Sequence, residues 1–202
     1  MNHSALIDGL KQGDRIAFRQ LVEAYQDRVY NTVLAIVRQP EEAEDVAQEV
    51  FVQVFRSIRE FDGGQNLTAW LYRIATTKAL EAYRKRHARK RWGGVSFAVL
   101  AQWFGSGDED DALPDQFHPV DWVHPGVKLE QQERATTLFR AVDRLPDAQK
   151  VAFTLHHVEG LRHAEIADVL QTSVSAVESL LHRAKQKLRK QLATYYQHDH
   201  SN

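Results

Sequence analysis

Residues 66–91 read NLTAWLYRIATTKALEAYRKRHARKR, an apolar stripe at helical spacing that runs directly into a dense basic segment. Leu67, Trp70, Leu71, Ile74 and Ala75 fall at i, i+3, i+4, i+7 and i+8, so one helical face is committed to a core. Beyond them Arg73, Lys78, Arg84, Lys85, Arg86, Arg89, Lys90 and Arg91 stand against the single acid Glu81, with Trp70, Tyr72 and Tyr83 interleaved. Cations suit phosphates, and aromatic faces suit unstacked bases. A helix end that only complements its own dipole needs about two or three charges in its last turn. The six basic residues from Arg84 to Arg91 exceed that need, and the stretch reads as a helix that holds a nucleic-acid backbone.

Upstream, a helix is expected to follow Asp14, with Phe18, Leu21, Val22, Tyr25, Val29, Val33, Ile36 and Val37 keeping the helical period until about Arg38. Pro40 suits the first turn of a second helix, where its missing N–H costs nothing, and Glu41, Glu42 and Glu44 complement the positive helix end. Its apolar stripe is Ala43, Val46, Ala47, Val50, Phe51, Val54, Phe55 and Ile58. Asp45, Gln48 and Glu49 continue a polar face past the first turn, as a docking surface would. The segment 61–66, FDGGQN, is a turn, and Asn66 or Thr68 caps the opening helix. Three helices on short loops make a small bundle ending near Arg91.

Composition bounds the rest. The chain has 202 residues, 43% of them hydrophobic, and a formal net charge of -1 that conceals basic blocks at 84–91 and 183–190 and acidic ones at 41–49 and 108–111. No apolar run is long enough to insert in a membrane, and MNHSALIDGLKQGD lacks a cationic segment followed by an apolar one. The absence of cysteine excludes disulfides and thiolate metal sites and fits a cytoplasmic protein. No cofactor motif is present.

Residues 92–127 mix glycine, proline, the acids 108–111 and scattered aromatics without a sustained period, and read as a linker or irregular insertion. Its 36 residues could extend to roughly 120 Å and average about 33 Å as a free coil, so they leave the spacing of the flanking parts open. The helical pattern resumes through Leu138, Phe139, Val142 and Leu145. Pro146 opens the next helix and Gly160 closes it. Then GLRHAEIADVLQTSVSAVESLLHRAKQKLRK, residues 160–190, lays out a short helix, a four-residue turn and a longer basic helix, the pattern of a helix-turn-helix. The fold expected is all-α, with a bundle over 1–91, the linker 92–127, a helix-turn-helix domain over 128–195 and a tail over 196–202.

These residues resemble the bacterial sigma factors of the extracytoplasmic-function group. Asp45-Val46-Ala47-Gln48-Glu49-Val50-Phe51 is similar to the group's D-x-x-Q-E-x-F segment, Trp70 to Ala75 to its W-L-x-R-I-A segment, and Leu145-Pro146, Glu159-Gly160-Leu161 and Glu165-Ile166-Ala167 to its -35-binding domain. The resemblance implies that Asp45, Gln48 and Glu49 bind core RNA polymerase at the beta-prime clamp helices, with the beta subunit a further contact. It implies a -10 set of Gln65, Asn66, Trp70, Tyr72, Arg73, Thr77, Lys78, Glu81, Arg84 and Lys85 on the opened strand. Thr77 and Glu81 stand where the group has Asn and Asp, which alters the preferred -10 sequence. Promoter duplex at -35 would meet Arg162, Ser173, Ser175, Ala176, Glu178, Ser179, His182, Arg183 and Lys187. An anti-sigma partner is a family-level expectation.

Several positions carry two readings. Trp70 is both the first large residue of the core stripe and a stacking candidate. The acids 108–111 fit a solubilising loop tip or a mimic of nucleic acid in a polymerase channel. Ser175 and Glu178 fit a capping box, in which the carboxylate is used internally, or Glu178 accepts from a cytosine amino group. Gln171 occupies a turn position where the group has glycine, and Arg162 one where it has a capping serine. The rival reading is a helix-turn-helix regulator that acts without replacing a sigma factor, which leaves the basic helix at 70–91 unexplained. An enzyme is disfavoured, since His156, His157 and His163 form no H-E-x-x-H and no nucleophile or phosphate-loop motif occurs.

Overall fold

In the computed structural model, residues 3–62, 66–91 and 137–199 are described. Gln65, the segment 92–127 and its acids 108–111 lie outside them. The elements are α1 (His3–Lys11), α2 (Arg15–Val37), α3 (Pro40–Ser57), a 3-10 turn (Ile58–Glu60), α4 (Leu67–Arg91), a helical stretch α5 over 137–143, α6 (Asp147–His157), α7 (His163–Leu170) and α8 (Val174–Asp199). The described residues are all-α, as the periodicity predicts.

Local chemistry sets the boundaries. Asp14 caps α2 by accepting from the Ile16 N–H at 2.8 Å, and Arg38 ends it in the left-handed region at φ 66. Pro40 sits in the first turn of α3 above Glu41 and Glu42. Of the two cap candidates for α4, Asn66 serves: its Oδ1 accepts from Thr68 N at 2.9 Å and Ala69 N at 3.3 Å. Thr68 instead pairs its hydroxyl with Tyr25 at 2.9 Å. α1 lies before the first helix expected from the sequence; it is held by Leu6 and Leu10 in the core and by a close crossing of α2, where a Cβ on Gly9 would lie 2.9 Å from that of Ala17. α8 continues to Asp199, past the expected domain end at 195.

α2, α3 and α4 pack on one another around Leu21, Val29, Val33, Val50, Val54, Leu71 and Ala75. The C-terminal helices rest directly on this bundle, α6 against α2 and α7 against α4. Val151, Leu155, Leu161 and Ile166 join the same continuous apolar cluster. The linker length allows many separations, and burial of these side chains, at about 25 cal/mol per Å² of apolar surface, selects the closed one. A smaller cluster of Ala141, Val142, Leu145, Ala184 and Leu188 ties α5 to α8.

The turn before α8 is conformationally costly. Gln171 adopts φ 51, ψ 48, a left-handed geometry that disfavours a Cβ by roughly 1–2 kcal/mol. Its N–H reaches the Ala167 carbonyl and that of Thr172 reaches the same oxygen at 3.0 Å, so the strained residue closes α7 and turns the chain into α8.

Candidate nucleic-acid interface

On α3, Asp45, Gln48 and Glu49 are all exposed. Beside them Val52 and Phe55 are 48% and 52% exposed, with Phe55 edge-on against Phe18 at 5.2 Å between ring centroids. Asp45, Gln48, Glu49 and Val52, together with Gln53, Arg56 and Lys78, line an open groove of about 550 Å³. Lys78 reaches from α4 to Glu49 at 3.8 Å and to Glu81 at 3.9 Å, joining this face to the next one.

α4 is less open than its sequence suggests. Asn66, Thr77, Glu81 and Lys85 are exposed, and Trp70 is half-buried with its ring 5.0 Å from Phe61, so it is chiefly a packing residue in this arrangement. Tyr72 is 1% exposed. Its hydroxyl donates to Glu159 Oε2 at 2.6 Å, and Arg28 Nε donates to the same oxygen at 3.3 Å. Burial together with this carboxylate pushes the Tyr72 phenol well above its ordinary range. Arg73 donates to the carbonyls of Asp168 at 2.8 Å and Val169 at 3.3 Å, the acceptors left over at the C-terminal end of α7. Arg84 makes two bonds to Asp147 Oδ2, at 2.7 and 2.8 Å. Three members of the expected -10 set are thus held by the C-terminal half.

A second polar cluster closes the interface between the halves. Arg38 lies 3.7 Å from Asp143 and 4.0 Å from the Phe139 ring centroid, Tyr83 donates to the Asp143 carbonyl at 3.3 Å, and Arg86 pairs with Glu42. Lys150 is 1% exposed, its ammonium 3.6 Å from the Tyr83 ring centroid, a cation over an aromatic face. Burial lowers the Lys150 pKa to about 8, with Asp143 and Asp147 opposing the shift. Burial likewise raises Asp143 and Tyr83 and lowers Arg38. None of Arg28, Arg38, Asp143 or Lys150 stood out as a site residue in the sequence, and Glu159 did so only within the Glu159-Gly160-Leu161 segment and not as a contact to α4, because each partner is remote in the chain.

In the helix-turn-helix Arg162 has no acceptor with which to cap α7 as a serine would, and only the reciprocal half of the box forms: Glu165 accepts from the Arg162 N–H at 2.8 Å and from its guanidinium at 3.2 and 3.3 Å. The Arg162 bonds hold the Glu165 carboxyl below its usual range. Ser173, not Ser175, caps α8, its Oγ accepting from Ala176 N at 3.2 Å. Ser173, Ser175, Glu178, Ser179, His182, Arg183 and Lys187 are exposed and Ala176 is half-buried. His156 Nδ1 lies 3.0 Å from the Leu161 carbonyl, an internal use of that ring.

Comparisons with known proteins assign the two halves. The family described as Sigma-70 region 2 matches residues 21–89, and Sigma-70, region 4 matches residues 136–188. The bundle and the helix-turn-helix half therefore carry, in order, two regions of the sigma-70 class. The ECF RNA polymerase sigma factor SigW of Bacillus subtilis (strain 168) is 30% identical over 186 residues, covering 92% of this chain and 94% of the relative. The RNA polymerase sigma-H factor of Pseudomonas aeruginosa is 32% identical over 187 residues, covering 93% and 92%. The chain belongs to the extracytoplasmic-function (ECF) RNA polymerase sigma factors, which give RNA polymerase its promoter specificity. Its fold is that of CnrH, solved in complex with the cytosolic domain of CnrY, at a TM-score of 0.64, 22% identity and coverage of 94% and 96% of the two chains. The sigma factor RpoE, solved with the anti-sigma factor NepR from Bartonella quintana, matches at a TM-score of 0.56, 20% identity and coverage of 87% and 96%. A regulator reading of the helix-turn-helix alone leaves the region 2 match unaccounted for.

Two outcomes follow for the interface. Glu159→Ala strands the Tyr72 hydroxyl and Arg28 and lowers stability by about 2–3 kcal/mol in urea unfolding, with Glu159→Gln losing less because it still accepts from Tyr72. For Lys150, the unfolded chain holds the proton up to the ordinary lysine range while the folded chain releases it at about 8. This group therefore makes stability rise as pH increases from 8 towards 10, and Lys150→Met removes that rise from the pH dependence of the urea midpoint.

Proposed function

We propose that the exposed face of α3, with Asp45, Gln48 and Glu49, docks on the beta-prime clamp helices of core RNA polymerase, the beta subunit contacting the chain elsewhere. The observation that supports this most is the juxtaposition on α3 of these polar residues with exposed Val52 and Phe55. Charge-depleted apolar centres ringed by polar groups are what protein interfaces use. α4 then engages the opened non-template strand of the -10 element through Gln65, Asn66, Trp70, Tyr72, Arg73, Thr77, Lys78, Glu81, Arg84 and Lys85. The α7–α8 unit reads the -35 duplex through Arg162, Ser173, Ser175, Ala176, Glu178, Ser179, His182, Arg183 and Lys187. The working units are region 2 within 1–91 and region 4 within 128–195.

Arg73 and Arg84 can meet phosphates only after leaving the carbonyls of Asp168 and Val169 and the carboxylate of Asp147. Strand binding by α4 therefore goes with separation of α4 from α6 and α7. Melting costs a few kcal/mol per unstacked step, and stacking on an aromatic face returns about 1–3 kcal/mol per base. The chain does no covalent chemistry: its contribution is binding energy spent on an open promoter. It acts in the cytoplasm, where polymerase and promoter DNA are, and no helix among the described residues is long and apolar enough to cross a membrane. An anti-sigma protein is a further partner on this reading, by analogy with the complex of RpoE with the anti-sigma factor NepR.

Run-off transcription tests the proposal. Core polymerase plus this protein initiates at a defined subset of a promoter library, and Asp45→Ala/Gln48→Ala/Glu49→Ala reduces that transcript at least tenfold while circular dichroism stays unchanged. Absence of any promoter-dependent transcript from the unaltered protein contradicts the proposal.

A further inference from the structure

Glu178 is the one acid on the exposed first two turns of α8, among Ser173, Ser175, Ala176, Ser179, His182 and Arg183. The structure removes its internal role. A capping box with Ser175 requires Ser175 to be the cap, yet α8 starts at Val174 and the cap bond runs from Ala176 N to Ser173 Oγ. With Ser173 as cap, the reciprocal position falls on Ala176, which has no polar group. The remaining contact of Glu178 is with His163 Nδ1 at 3.7 Å, and the two side chains are 60% and 40% exposed. An exposed pair at that distance contributes little to stability.

The hydroxyls around Glu178 are already engaged locally. Ser173 and Ser175 bond to each other at 3.0 Å, Ser179 Oγ donates to the Ser175 carbonyl at 2.9 Å, and Arg183 Nε donates to the Ser179 carbonyl at 3.2 Å. The His182 ring is 2.9 Å from Gln186 Nε2. Glu178 is the strong acceptor left free to face a base edge. Between phosphates a carboxylate is repelled unless it meets a hydrogen-bond donor, and only two bases present one in the major groove, cytosine at N4 and adenine at N6. On adenine the N7 lone pair lies beside the amino group and repels the second carboxylate oxygen. On cytosine the neighbouring atom is the C5–H, which does not. Guanine O6 and thymine O4 are acceptors and oppose the carboxylate outright.

We infer that Glu178 selects cytosine at one position of the -35 duplex, in the order cytosine, adenine, then guanine and thymine. This rests on the reading of α7–α8 as the -35-binding unit and adds the residue and the base.

The test uses holoenzyme assembled from core polymerase and the full chain, transcribing a library randomised across the -35 element with a fixed -10 element and spacer, the transcripts counted by sequencing. The unaltered protein favours cytosine over guanine or thymine at one position by on the order of tenfold. Glu178→Ala flattens that position alone and leaves the others unchanged. Glu178→Gln moves its preference to adenine, whose N6 and N7 an amide satisfies together, a gain that a purely structural residue cannot produce. Variants with the unaltered base profile at every position, or with a uniform loss across all sequences, overturn the assignment to Glu178 while leaving the domain reading intact. Transcription indifferent to the whole -35 element overturns both.

Discussion

Glu159 lies in the turn after α6 with its side chain 4% exposed, and the single oxygen Oε2 accepts from Tyr72 of α4 and Arg28 of α2. Withdrawing a carboxylate from water costs several kcal/mol unless its lone pairs are satisfied. These two donors come from different helices of the bundle, so the penalty is offset only when α6 sits in one register against both. Apolar burial of Val151, Leu155, Leu161 and Ile166 favours contact between the halves without specifying its geometry. The Glu159 contact specifies it. Once it is made, Arg73 reaches the end of α7 and Arg84 reaches the start of α6 without further rearrangement.

The cluster of Arg38, Asp143, Arg86, Glu42, Lys150 and Tyr83 adds a second constraint of a different kind. Its cations are buried by the meeting of the halves, and Arg38 Nε and Nη1 make no hydrogen bond in this arrangement. Such a cluster costs stability relative to an apolar interface. It also makes the interface easier to part than its apolar area suggests, since water regains the charges on separation. On the proposed reading, in which α4 exchanges these acceptors for phosphates, an interface of that kind serves the exchange.

How much was legible in the sequence depends on how far apart the interacting residues are. Asp14, Pro40, Asn66, Pro146 and Gly160 each act within one turn, and each marks its boundary as expected. The polar face of α3 was readable because helical periodicity alone separates it from Val46, Val50 and Val54. Tyr72 was not: it falls off the apolar stripe and reads as solvent-facing, whereas α4 is covered on a second side by residues 60 and more positions away. The α8 cap was read one turn position off: the spacing of Ser175 and Glu178 fits a capping box, whereas the backbone sets the cap at Ser173, whose Oγ accepts from Ala176 N. α1 was missed although Leu6, Ile7 and Leu10 fall at helical spacing, because nine residues give that pattern little more than two turns in which to repeat.

The central claim is that this chain lets polymerase open DNA, with α4 on the separated strand and α8 on duplex. Permanganate reactivity of thymines on a promoter fragment tests it most directly. Core polymerase together with this protein should expose reactive thymines confined to the -10 element while the -35 element stays paired and protected, and neither component should do so alone. Protection of duplex by the protein alone, with no reactive thymine appearing when core polymerase is added, would contradict it.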